Sequence, residues 1–239
     1  MGDAAAARQL APSAFDVITF DCYGTLVDWE AGILSVLAPL LARHGRRPPI
    51  EEILVLYAEL ESEAESGDYT SYRSVLVQVV TSLGRRFGFE PTPEEKDALW
   101  ASIAAWLPYP DSVPALLSLK RTYKLGIISN VDDDLFVATA RRLEVDLDWV
   151  VTASQVRAYK PSPAPFTEAM RRIGIHPSRI LHAAQSLHHD VATAKALGLA
   201  TVWVDRRRGR PGSGATPASE ASADWTVPDM RSLAALLAG

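Results

Sequence analysis

Asp16-Val-Ile-Thr-Phe20, running straight into Asp21-Cys22-Tyr23-Gly24-Thr25-Leu26, is the stretch on which the fold turns. A short apolar, β-branched run that stops at Asp and Gly reads as a strand followed by a tight loop. After it, from about residue 30 to 105, the rhythm becomes helical. Ile33, Leu34, Leu37, Leu40 and Leu41 recur at three- and four-residue steps, as do Tyr72, Val75, Leu76, Val79, Val80, Leu83 and Phe87. Pro48-Pro49, Gly67-Asp68 and Pro91-Thr-Pro93 punctuate this segment, which predicts about four helices and no strand.

Beyond Pro108-Tyr-Pro110 the pattern alternates. Leu125–Asn130, Trp149–Thr152, Arg179–Ala184 and Ala200–Asp205 read as buried strands separated by helices, and Asp224–Val227 as a final edge strand. Such alternation predicts an α/β fold: a parallel, Rossmann-like sheet with helices on both faces. The core would comprise 15–28 and 107–239, with 29–106 a helical domain inserted after the first strand. Residues 1–14 read as a loose tail, and the arginine-rich stretch 206–222 as a solvated loop.

The chain has 239 residues, 48% of them hydrophobic, and a formal charge of −5. That composition supports a sizeable core and gives no reason to expect nucleic-acid or membrane binding. One cysteine, Cys22, excludes an internal disulfide and a multi-thiol metal site, and reads as a buried strand residue. With no apolar run of membrane-spanning length and no hydrophobic signal core, a cytoplasmic protein acting on a small molecule is expected.

In open parallel sheets ligands bind beyond the carboxyl ends of the strands. The polar residues there are Asp21 and Thr25 after the first strand, Ser129-Asn130 after the second, Lys160 before Pro161 in a later loop, and Gln185 through Asp190 after the fourth. Only five of the 24 basic residues are lysines, so a lysine in this position stands out. Together these groups make a coherent hydrolytic set. Asp21 could act as a covalent nucleophile and Lys160 hold it ionised. Thr25 and Ser129 could orient it, and Asp190 could activate water.

These residues, in this order, resemble the four motifs of the haloacid dehalogenase superfamily of hydrolases, and the helical insertion resembles that superfamily's cap domain. The resemblance implies Asp21 as nucleophile and a cap that closes over it. Phosphatases of the superfamily carry a second Asp two residues after the nucleophile and an acid that helps hold Mg²⁺ at the start of the fourth motif. Here those positions are Tyr23 and Gln185, as suits a leaving group that needs no proton. The sequence therefore resembles the (S)-2-haloacid dehalogenases. That implies displacement of halide from short 2-haloalkanoic acids, no metal and no cofactor. The alternatives are a Mg²⁺-dependent phosphatase of small metabolites and a non-enzymatic member whose cap binds a ligand.

Dehalogenases of this type grip the substrate carboxylate with an arginine on an early cap helix. Residues 48–72 hold no Lys or Arg but six Glu, and Arg73 is the nearest candidate. Tyr23, Tyr72, Asn130, Gln185 and His189 complete the expected substrate-binding set, with either His188 or His189 assisting water. The tyrosine that follows the lysine in the family is Phe166 here, which reads as a packed helix residue. Trp29 lines the site or a hinge. Many members dimerise, so a homodimer is a further expectation, although no surface stripe marks a face for it.

Overall fold

A computed structural model describes residues 10–238. Most of the tail expected over 1–14 lies outside them; Pro12–Ala14 form a 3₁₀ turn. Among the described residues the sheet has six parallel strands in the order β3-β2-β1-β4-β5-β6. They are β1 (Val17–Phe20), β2 (Lys124–Ser129), β3 (Trp149–Thr152), β4 (Ile180–Ala184), β5 (Ala200–Val204) and β6 (Trp225–Val227). The central strand β1 lies between β2 and β4, with Phe20 in register with Ile127 on one side and Ala183 on the other. Strand β1 is buried throughout. This is why its sequence is a continuous apolar run rather than an alternating one.

Four helices separate β1 from the rest of the core: α1 (Trp29–Arg43), α2 (Ile50–Glu65), α3 (Tyr72–Phe87) and α4 (Pro93–Ser102). Three of the four starts carry a side-chain cap; α2 instead follows Pro49 with no side-chain cap. The Asp28 carboxylate accepts from Ala31 N, the Ser71 hydroxyl accepts from Ser74 N, and Thr92 with Glu95 forms a reciprocal capping box. Helix α3 ends on Gly88 in the left-handed region. The remaining helices flank the sheet: α5 (Ser112–Leu119), α6 (Asp133–Leu143), α7 (Ala153–Val156), α8 (Ala164–Ile173), α9 (Ala192–Ala196) and α10 (Met230–Leu237). A π-helical turn, Leu187–Val191, precedes α9.

The 206–222 segment departs from the expected solvated loop. Arg206 and Arg207 are buried side chains. Arg206 donates to Thr25 O at 3.0 Å and, from Nη1, to both carboxylate oxygens of Asp111 at 2.8 and 2.9 Å, its guanidinium stacked over Tyr109. Arg207 pairs with Glu30 of α1 and, at 2.6 Å, with Glu51 of α2. Buried carboxylates require such partners. Arg207 therefore acts as a clasp between the core and the helical insertion and Arg206 as a tie within the core, while Arg208 and Arg210 remain exposed.

Candidate active site

The turn after β1 is shaped by Gly24. Its φ is +93°, and a Cβ there would lie 2.8 Å from the indole nitrogen of Trp29. The backbone thus folds sharply enough for Thr25 to reach back to the strand end, and its hydroxyl donates to Asp21 Oδ2 at 2.7 Å. Thr25 Oγ1 in turn accepts from Gln185 N at 2.8 Å, which ties the loops after β1 and β4 together.

Lys160 is almost fully buried and carries three acceptors. Its ammonium donates to Asp21 Oδ1 at 2.8 Å, Asp190 Oδ1 at 2.7 Å and Ile128 O at 2.9 Å. The Asn130 side chain holds the lysine's backbone on both sides, accepting from Lys160 N at 2.7 Å and donating to Lys160 O at 3.0 Å. Three loops thus fix one cation between two carboxylates. Burial works to strip its proton, but Asp190 and Asp21 outweigh that and keep the ammonium charged beyond the ordinary lysine range. Asp190 is held low: Lys160 and a hydrogen bond from His182 overcome the cost of burial. Asp21 moves the other way, because burial and the neighbouring Asp190 charge outweigh Lys160 and Thr25. Lys160 and Thr25 each hold one oxygen of this carboxylate and so fix its orientation at the cavity.

His182, on β4, extends the array inward. Its Nε2 lies 3.0 Å from Asp190 Oδ1, and Thr19 Oγ1 lies 2.9 Å from its Nδ1. Asp190 Oδ1 is therefore saturated, while Asp190 Oδ2 is buried with no hydrogen-bond partner. Ser129 Oγ is buried and unpartnered as well. Orphaned polar atoms are costly unless a ligand or water completes them.

Both residues line a cavity of about 30 Å³ together with Asp21, Tyr23, Asn130, Lys160 and His189 from the core. Trp29, Glu61, Tyr72, Ser186 and Thr216 complete the wall. This is room for about two waters. Ser186 Oγ accepts from His189 N at 2.9 Å and starts the π-helical turn that brings His189 to the wall. Burial drives the His189 pKa down to about 3, so the ring is neutral. The Tyr23 hydroxyl lies 2.9 Å from Thr139 Oγ1 on α6, and only the rest of the side chain is left to bound the cavity.

The structure gathers Asp21, Thr25, Ser129, Lys160 and Asp190 as expected, with Tyr23, Asn130, Tyr72 and His189 around them. It places Arg73 elsewhere, and Gln185 meets the site through its backbone N–H on Thr25 and its side chain on Thr216 rather than from the cavity wall. Arg73 pairs with Asp134 at 2.6 Å and stacks over Trp100 at 4.2 Å, and it does not line the cavity. The Gln185 Oε1 accepts from Thr216 Oγ1 at 3.3 Å. Gln185 borders a separate surface cleft near Trp203 and the 207–219 loop. Phe166 is fully buried and packs edge-on to His182 at 5.1 Å.

Glu61, one of the six glutamates in 48–72, also lines the cavity. Helix α2 buries Ile53, Leu54, Tyr57, Ala58 and Glu61 on one face. An acid at the end of that apolar stripe, four residues after a tyrosine, was the available signal. Tyr57 and Tyr72 hydroxyls donate to Glu61 Oε1 at 2.6 and 2.7 Å. Tyr72 is positioned from the core, since Asp132 accepts from Tyr72 N and Arg73 N at 3.0 Å each. Burial raises the Glu61 pKa to about 7 against the two tyrosine donors.

The donor set does not fit a resident magnesium ion. Position 185 offers only a neutral amide, whose Oε1 accepts from Thr216, and the Lys160 ammonium already pairs with both core carboxylates. Among the described residues no group of three or more His, Cys, Asp or Glu converges to hold a metal.

A buried strand-end aspartate, a lysine-bridged second aspartate and a roofed cavity on a parallel sheet define a hydrolase of the α/β class. A family model for haloacid dehalogenase-like hydrolases matches residues 15–198, and the chain belongs to that family. It is 24% identical over 200 residues to (S)-2-haloacid dehalogenase 4A of Burkholderia cepacia, covering 80% of this chain and 84% of that protein. It is 28% identical over 192 residues to a glyceraldehyde 3-phosphate phosphatase of Methanopyrus kandleri, covering 71% and 78%. Among solved structures it resembles a defluorinating L-2-haloacid dehalogenase with a TM-score of 0.77 and 27% identity, over 94% of this chain and 96% of that one. Among the described residues no helix is long and apolar enough to cross a membrane.

Proposed function

We propose that the protein hydrolyses the carbon–halogen bond of a short organohalide through an ester on Asp21, with residues 29–106 acting as the cap. An Asp21 carboxylate oxygen attacks the halogen-bearing carbon. The carbon–halogen bond breaks and its electron pair leaves with halide, so no proton is needed. Water then adds to the ester carbonyl and gives a proton to Asp190, and the tetrahedral intermediate collapses to restore the Asp21 carboxylate and expel the alcohol, which recovers a proton. Lys160 offsets negative charge on Asp21 in the second step. Neutral His189 is a second acceptor for the water's protons.

The observation that carries this reading is Asp190 Oδ2, buried at the cavity with no partner while its sister oxygen is saturated. It is an acceptor left open for a water. Tyr23 in place of an acid, with its hydroxyl engaged by Thr139, supports a leaving group that departs unprotonated. The similarity to 2-haloacid dehalogenases supports the reaction class and supplies the first compounds to assay, the 2-haloalkanoic acids. The carboxylate grip expected of Arg73 has no support in its placement.

The test is chloride release from (S)-2-chloropropionate, chloroacetate and 2-chloroethylammonium in EDTA, with Asp21→Asn as control and mass spectrometry of the protein during turnover. Chloride release with an adduct on the Asp21 peptide is the expected result. Turnover of a phosphomonoester that appears only on adding Mg²⁺ would support the phosphatase reading instead.

A further inference from the structure

The wall facing Asp21 from the helical insertion offers a carboxyl group where a carboxylate-binding site would need a cation. Among the described residues lining the cavity, Lys160 is the one cationic side chain, and it is already shared by Asp21 and Asp190. The nearby arginines are committed: Arg73 to Asp134, Arg206 to Asp111, and Arg207 to Glu30 and Glu51. Glu65, one turn along α2, is a half-buried second carboxyl whose Oε1 is buried with no partner. Admitting a carboxylate substrate would bury one more negative charge with no new donor cation, which is costly.

Glu61 itself is built to receive a donor. Both tyrosine hydroxyls converge on Oε1, and the two phenol oxygens lie 3.1 Å apart, which fixes the carboxyl plane from two helices. Among the described residues no donor reaches Oε2. Two O–H donors on one oxygen match a carboxylate that accepts on the other. An ammonium at Oε2 would complete the set and bring the positive charge that the cavity lacks.

Resting on the reading of Asp21 as the nucleophile of a short organohalide hydrolase, we propose that Glu61 is the substrate anchor and that it selects compounds carrying a protonated amine in place of the carboxylate of 2-haloacids. The amine end would sit against Glu61, and the halogen-bearing carbon would face Asp21. Tyr57 and Tyr72 are positioning residues that hold the anchor.

The test separates binding from turnover. Isothermal titration calorimetry of the wild-type protein with ethylammonium and with acetate, neither of which can react, reads the anchor alone. Ethylammonium is expected to bind about tenfold more tightly than acetate or better, and Glu61→Gln to erase most of that preference. Circular dichroism confirms that the variant is folded, and the wild-type preference stands as a test without it. Chloride release should likewise favour 2-chloroethylammonium over chloroacetate. Equal or tighter binding of acetate, binding of neither ion, or a preference that survives Glu61→Gln would overturn the proposal. No chloride from any compound, with Glu61-dependent binding of ethylammonium, would support the anchor and sink the dehalogenation reading alone.

Discussion

His182 Nε2 lies 3.0 Å from Asp190 Oδ1, so a core histidine on β4 holds the candidate water-activating carboxylate by one oxygen and leaves the other open. Ionised Asp190 can only accept, so Nε2–H donates. The bond acts with Lys160 to keep Asp190 in its charged form below the usual carboxylate range. His182→Phe removes that contribution without touching the cavity wall. The Asp190 pKa should rise, and the acid limb of the kcat–pH profile should move to higher pH, with kcat about tenfold lower near neutrality. Asp190→Asn should let the first step proceed and stall the second, so the Asp21 adduct accumulates in the mass spectrum. An unmoved acid limb in His182→Phe would count against this arrangement.

Lys160 holds together two carboxylates that otherwise repel. Lys160→Met leaves Asp21 and Asp190 buried and uncompensated, and should destabilise the fold by about 3–5 kcal/mol in urea unfolding. The loss should shrink at acid pH, where either carboxyl can take a proton. Activity should fall further than stability explains, because no cation then offsets charge on Asp21.

Glu61 gives a signed pH dependence of stability. Its pKa is raised from about 4.5 in the unfolded chain to about 7 in the fold, chiefly by burial. The folded state therefore holds the proton more tightly. The resulting stabilisation is full below pH 4.5 and is lost as pH rises through 7. Glu61→Gln removes this dependence. The stability of the variant relative to wild type should rise between pH 5 and pH 8, by at most about 3 kcal/mol. A difference between the two proteins that stays flat over that range would show that Glu61 is not perturbed.

Much of this site was legible because strand ends write themselves in sequence. The run Asp16–Phe20 had to stop at Asp21 and Gly24, and parallel topology then brought Ser129, Lys160 and Asp190 to the same edge as Asp21. Glu61 was not legible in the same way. Its partner Tyr72 comes from another helix, and Asp132 of the core sets that helix's start, so the cluster exists only after the insertion has docked. Arg73 lies away from the cavity for a related reason: proximity in sequence to Tyr72 does not decide which face of α3 it occupies, and Trp100 and Asp134 hold it. Thr216, which lines the cavity from the far end of the chain, carried no local signal at all.

The arginine clasp yields the last prediction. Arg207 joins the 205–219 loop to Glu30 on α1 and Glu51 on α2, and Ala215 N donates to Glu30 Oε1 at 3.1 Å. The same loop supplies Thr216 to the cavity wall. A cavity with room for about two waters cannot admit an organohalide without the helical insertion moving. The clasp resists that motion. Arg207→Met leaves buried Glu30 with only the exposed Arg210 at 3.8 Å and the Ala215 N–H, and should cost about 2–4 kcal/mol of stability. Hydrogen exchange should speed up in 205–219 and at the start of α1 while the β1, β2 and β4 amides stay protected. Gly214→Ala attacks the same contact from the other side. Its φ is +69°, and a Cβ there would fall on the Glu30 carboxylate. Both variants should loosen the roof over Asp21 and raise KM more than they lower kcat. Uniform exchange across the whole sheet in either variant would mean that the clasp stabilises the fold globally rather than holding the insertion closed.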